Sequence, residues 1–197
     1  MRNLARAIVL LLALGLSEPV LAGPLEDARA AYGKEDYTTA LRLFRPLADQ
    51  GDADAQSMLG LMYDNGQGVP KDDAQAVKWY RLAANQGYAW AQTSLGTMYD
   101  NGQGVPKDYA QAVKWYRLAA NQGYASAQAN LGNMYYLGQG VPKDYVLAYM
   151  WRNLAAGGAS DADIRERAVK ARDELAKVMT SAQVAEAQKR ASAWQPK

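Results

Sequence analysis

The side chains behind most covalent catalysis are missing from this sequence of 197 residues, which has no histidine and no cysteine. Ser-His-Asp and Cys-His nucleophiles are therefore excluded, as are zinc sites built on those ligands and every disulfide. A serine acylated with lysine's help needs Ser-x-x-Lys, and no serine here has lysine at that spacing. Carboxylates remain. The close pairs Asp52 with Asp54, Asp72 with Asp73, and Asp161 with Asp163 could divide acid and base work as in a glycosidase. Each pair, however, opens a segment of helical apolar spacing, where a carboxylate is stabilised by free N–H groups, so capping is the reading adopted. Gly66-Gln67-Gly68, with Lys71 nearby, invites comparison with phosphate-cradling loops. It lacks the third glycine, a following Gly-Lys-Ser/Thr and a preceding strand, and reads as a connector. The chain is expected to be no enzyme, with no catalytic residue, no metal site and no cofactor.

A repeat positions these residues. Asp64 to Ala89 returns almost letter for letter at Asp100 to Ala125, the one change being Asp73 to Tyr109, and Gly60, Gly96 and Gly132 recur every 36 residues. A fixed period of this size means stacked copies of one supersecondary unit. In the first copy, Asp52 is a candidate N-cap, and Ala55, Leu59, Met62 and Tyr63 trace the buried face of a helix A that stops at Asn65-Gly66. Helix B starts at Asp72, with Gln75 as a capping-box partner, and buries Ala76, Val77, Tyr80, Ala83 and Ala84 before Gly87 ends it. Gly60, Ala83 and Ala84 should let the two axes approach closely. Trp79, Trp115 and Trp151, at matching repeat positions, read as packing residues. Upstream, Pro24 to Leu47 forms a further hairpin, bent near Pro46; downstream, Asp161 to Val178 and a helix opened by a Thr180–Gln183 capping box complete the chain.

These residues carry a family resemblance: A-Q-x-x-L-G-x-M-Y at Ala55 to Tyr63, G-Q-G-V-P-K-D at Gly66 to Asp72, and A-x-x-W-Y/R-x-L-A-A from Ala76 to Ala84, repeated in phase twice more. The unit resembles the Sel1-like repeat, a relative of the tetratricopeptide repeat with a longer loop, over about Ala53 to Gly158. The third copy departs in its second helix, where Tyr149, Met150 and Arg152 replace Val113, Lys114 and Tyr116. The resemblance implies an all-α, right-handed α-solenoid of stacked antiparallel hairpins. Its divisions are a tetratricopeptide-like hairpin at 23–50, repeats at 51–87, 88–123 and 124–158, and capping helices at 159–197. Cysteine-rich relatives linked to β-lactam binding differ from this chain, which lacks their cysteines.

Residues 1–22 read as a secretory signal: Arg2 and Arg6 precede the apolar run Ala7 to Leu16, and Val20-Leu21-Ala22 suits cleavage. That run is shorter than the ~20 residues of a permanent span, so a periplasmic protein with no membrane span after cleavage is expected. A formal charge of +2, with both signs interspersed, argues against nucleic acid.

Divergence between copies is concentrated on helix A, at Asp54/Trp90/Ser126, Ser57/Thr93/Ala129, Met58/Ser94/Asn130 and Leu61/Thr97/Asn133. Spaced i, i+3, i+4 and i+7, these twelve residues share one helix face. In solenoids of this type the A helices line a concave surface, so the variable face is the expected groove for a protein partner, with Trp90 as its anchor. Members of the family with signal peptides include immunity proteins that neutralise lipase toxins in the periplasm, and scaffolds or regulators of envelope sensing. The resemblance leaves both open, a toxin effector or an envelope regulator being the partner. A carboxylate-based envelope hydrolase is the reading from another class.

Overall fold

Among the described residues, consecutive helices up to the ninth pack on one another, and the tenth folds back onto the eighth. The computed structural model describes residues 23–197, so the expected signal segment lies outside the described residues. Among the described residues there are ten helices and no strand. A first hairpin pairs α1 (Pro24–Gly33) with α2 (Tyr37–Asp49), and α2 runs through Pro46. The three copies follow as α3 (Ala53–Asn65) with α4 (Asp73–Asn85), α5 (Ala89–Asn101) with α6 (Tyr109–Asn121), and α7 (Ala125–Leu137) with α8 (Tyr145–Gly158). Both α9 (Ala162–Ala176) and α10 (Ser181–Ala193) pack on α8, and α9 also touches α7. The fold is an all-α solenoid.

Helix starts account for the carboxylates. Asp52 accepts from the Ala55 N–H at 2.8 Å, Asp72 from Gln75 at 2.9 Å and Asp161 from Ile164 at 2.9 Å. Their neighbours are occupied or exposed too: Asp73 pairs with Lys71 at 3.3 Å, and Asp163 lies open in the first turn of α9. One carboxylate of each pair is therefore a helix cap, as expected from its position. At Asp72 only the aspartate half of the predicted capping box forms, whereas the Thr180–Gln183 box is complete.

The regular spacing of glycines has two causes. Gly60 and Gly96 lie on A helices directly against an aromatic ring, where a Cβ would stand 2.5 Å from Tyr80 Cδ1 and 2.7 Å from Tyr116 Cδ1. The close approach is thus to the tyrosine ring of helix B rather than to Ala83 and Ala84. Gly68, Gly104 and Gly140 have positive φ and touch the backbone oxygens of Tyr37, Asp73 and Tyr109 respectively. Each connector so docks on the first turn of the preceding B helix, which is why the Gly-Gln-Gly loop recurs.

The core runs as three successive apolar clusters, the last closed by Leu175 of α9 and by Ala187 and Ala191 of α10, and a small fourth cluster joins Ala155 and Ala156 of α8 to Ala168 of α9. Trp115 and Trp151 are buried within it, and Trp79 lies beneath the Arg45 guanidinium at 5.2 Å. The tryptophan series is therefore packing.

A glutamine ladder threads this core and sets repeat register. Gln56, Gln92 and Gln128 are buried, and their amides donate to the carbonyls of Ala48, Ala84 and Ala120 at 3.0, 3.1 and 3.2 Å. Gln86 then donates to Gln56 Oε1 at 2.8 Å, and Gln122 to Gln92 Oε1 at 2.9 Å. At the matching position the third copy has Gly158, leaving Gln128 Oε1 without a donor. Gln92→Leu gives up the bonds to Ala84 and Gln122, although Gln122 keeps its bond to the Gly87 carbonyl at 3.0 Å, and is expected to cost about 1–2 kcal/mol, against about 0.5–1 kcal/mol for Gln128→Leu, which gives up one. Urea unfolding of both variants checks the ordering; equal losses would show that the bond between Gln122 and Gln92 contributes nothing.

Candidate functional site

The divergent residues of α3, α5 and α7 do not all reach one open surface. Ser57 is 1% exposed and its hydroxyl donates to the Asp54 carbonyl at 2.8 Å; Thr93 is 8% exposed and donates to the Ala89 carbonyl at 2.8 Å. Ala129 is half-buried against Ala155, Ala156 and Ala168. This column is the margin of the core, because each A helix is packed from both sides and its free arc is narrower than four positions. The expectation of four open columns is corrected to that extent.

Asp54 is also withdrawn from partner binding. It accepts from Arg29 Nε at 3.2 Å and Nη2 at 2.7 Å, and from the Tyr88 hydroxyl at 2.6 Å, tying α1, α3 and the start of α5 together. Burial, then the adjacent Asp54 carboxylate, pushes the Tyr88 phenol up to about 12. Met58 is half-buried beside the cluster containing Phe44 and Leu59, and Leu61 is half-buried. Neither lines a pocket of this face.

The remaining residues divide between two adjoining pockets. Trp90, Thr93, Ser94 and Thr97 line a smaller one, of about 170 Å³, with Asp64, Gln103 and Tyr124. Trp90 is half-buried and meets Tyr80 edge to face, with centroids 5.7 Å apart. Thr97 shares a hydrogen bond of 3.1 Å with the Tyr116 hydroxyl. Ser126, Ala129, Asn130 and Asn133 line a larger pocket, of about 310 Å³, with Arg152 of α8 and with Ile164, Arg167, Ala168 and Ala171 of α9. Ser126 lines both, so the two pockets adjoin along α5 and α7.

Opposite charges stand in the two pockets. Burial pushes the Asp64 carboxyl up, with Lys71 Nζ 3.8 Å away opposing the shift. Burial likewise pulls the Arg152 guanidinium down. Asp64, Tyr124, Arg152 and Arg167 are absent from the repeat comparison as binding residues. Arg152 had a legible signal, the break from Tyr80 and Tyr116 at its position; Arg167, in the cap, has no counterpart against which to differ. The groove offers an aromatic face, amides, hydroxyls and charges of both signs, a set suited to recognising another polypeptide. No group of His, Cys, Asp or Glu among the described residues is arranged to hold a metal ion.

Stacked helix hairpins presenting side chains that change from copy to copy define a repeat scaffold for protein–protein interaction. The chain belongs to the Sel1 repeat family: that family's model matches residues 29–52, 53–88, 91–124 and 125–157. The first hairpin, read from the sequence as tetratricopeptide-like, thus contains a fourth match. A crystal structure of a Sel1 repeat protein from Oxalobacter formigenes is similar at 31% identity and a TM-score of 0.66, covering 85% of this chain and 74% of that one. Another, of c5321, described as a protective antigen present in uropathogenic Escherichia coli strains displaying an SLR fold, is 32% identical with a TM-score of 0.57. It covers 77% of this chain, which spans 39% of that protein. No curated protein matches the sequence.

Proposed function

We propose that this chain is a non-catalytic protein of a Gram-negative periplasm that holds a protein partner in the groove along α5 and α7. The observation supporting this reading is the pair of adjoining pockets, with Trp90 in one and Asn130 in the other, built from residues that differ between otherwise near-identical copies. The periplasmic location rests on the signal-like pattern of residues 1–22. Among described residues, no helix is long and apolar enough to cross a membrane.

The partner is identified by placing a photo-crosslinking residue at Ser94 in cells and sequencing what it captures. Binding is then measured with purified components. Trp90→Ala is expected to weaken the complex about 30-fold, the equivalent of losing ~2 kcal/mol at an aromatic anchor. Ser94→Arg should do the same by obstructing the smaller pocket, although it also gives up the contact of Ser94 with the buried Tyr80 hydroxyl, so its melting curve is recorded alongside. Unaltered affinity in both variants rejects the groove.

We favour an immunity role, in which the partner is a lipase toxin acting in the periplasm. Recent-looking duplication of Asp64 to Ala89 supports it, since copying a hairpin is a quick route to new contact surface. Stoichiometric addition of this protein should then abolish the partner's esterase activity. Capture of an envelope sensor instead selects the scaffold or regulator reading, and turnover of lipid or peptidoglycan by this protein alone overturns both.

A further inference from the structure

The third copy changes three neighbouring residues together. Where the first copy has Leu61, Asp64 and Tyr80, and the second Thr97, Asp100 and Tyr116, the third has Asn133, Tyr136 and Arg152. A buried phenol with an aspartate close by has become a buried guanidinium, and the aspartate has gone. Arg152 is 6% exposed. Its Nη1 donates to the Ala171 carbonyl at 2.9 Å, its Nη2 to Asn133 Oδ1 at 2.9 Å, and its Cζ lies 4.7 Å from the centre of the Tyr136 ring. Nε has no partner.

None of these contacts supplies a negative charge. Buried cations are ordinarily paired, because taking a charge out of water is costly unless an opposite charge and a full set of hydrogen bonds replace the solvent. Among the described residues no carboxylate pairs with Arg152, and none lines the pocket of about 310 Å³ that it borders. The second cation on that pocket, Arg167, spends its Nε on the Asp163 carbonyl at 3.2 Å. Asn130 and Ser126 add neutral hydrogen-bonding groups to the same wall.

We propose that this pocket is a carboxylate subsite, in which Arg152 and Arg167 together take one carboxylate of the bound polypeptide. The inference rests on the groove being a protein-binding surface and names the chemistry recognised at its C-terminal end. A guanidinium presents planar N–H donors that match a carboxylate, and charge-assisted bonds of this kind are about twice as strong as neutral ones. The cavity has room for an aspartate or glutamate side chain or for a chain end. Asp64, in the adjoining pocket, supplies the opposite sign, so the groove also dictates the direction in which a segment lies.

The test follows the Arg152 and Arg167 Nε–Hε resonances of the full chain by NMR during titration with small probes. The probes are N-acetyl-glutamate N-methylamide, its glutamine isostere, N-acetyl-alanine as a chain end, and inorganic phosphate. At least one of the two carboxylates is expected to saturate the site about tenfold more tightly than the isostere. Which of the two does so separates a side chain from a terminus. Arg167→Gln should weaken that binding about fivefold or more without altering the melting curve, since its side chain is exposed. Equal response to the isostere, no saturable shift, or tighter binding of phosphate than of either carboxylate overturns the proposal. Saturation by a carboxylate upholds the subsite even where the crosslinking experiment finds no partner on the groove. A groove partner found alongside silent probes sinks the subsite alone.

Discussion

Tyr116→Ala is expected to lower the unfolding free energy by about 3–5 kcal/mol, in the range for deleting a large buried aromatic. Tyr116 is fully buried between α5 and α6, and its ring occupies the space left by Gly96, where a Cβ would meet Cδ1 at 2.7 Å. The residue facing the ring, Gly96, has no side chain with which to fill the void, and Ala112, Ala119 and Ala120 of the same helix are short. In a chain of this size the melting temperature should fall by roughly 10 °C. Tyr116→Phe keeps the ring and gives up only the bond shared with Thr97, so it should cost about 1 kcal/mol. Chemical unfolding followed by far-ultraviolet circular dichroism measures both. An alanine variant no less stable than the phenylalanine variant would show that the ring-on-glycine contact does not hold the hairpin.

Gly104→Ala should be nearly as damaging, for a different reason. Gly104 sits at φ +65, which costs an L-residue roughly 1–2 kcal/mol. Its missing Cβ would also collide with the Asp73 carbonyl of the preceding repeat, and forcing atoms into packed space adds about 1–3 kcal/mol. Gly87 separates the two contributions, since it has φ +89 with nothing within 4 Å of the missing Cβ. Gly87→Ala should therefore lose only the conformational part. The difference between the two variants in urea unfolding reports how tightly a connector is clamped to the repeat before it. If they match, the connector docks too loosely to set repeat spacing.

The hairpins were readable because each has its own local cause. Asp52, Asp72 and Asp161 cap the helices they precede, Gly66 and its counterparts stop the A helices in the left-handed region, and the apolar positions recur with helical spacing. Copying the unit every 36 residues then repeats each cause in phase. The groove was only partly readable. Of the divergent residues, those of α5 and α7 lie along the pocket walls, but helical spacing could not tell that the Ser57 hydroxyl is buried against its own helix or that Asp54 is consumed by Arg29 and Tyr88. The partners of Asp54 lie 25 and 34 residues away in the chain, in α1 and at the start of α5.

Residue order by itself therefore determined the hairpin, the number of near-identical copies and the absence of histidine and cysteine chemistry, because caps, glycines and apolar stripes act within one turn or one loop. Only the tertiary structure decided which divergent positions remain open, because the width of a helix's free arc depends on how many neighbours pack against it. It also brought Arg152 and Arg167, from different helices, to the wall formed by Ser126, Asn130 and Asn133. In the linear sequence Arg152 is one substitution in a degenerating third copy. In three dimensions it is a buried cation without a counter-charge, since only packing fixes which groups are removed from water and which face them there.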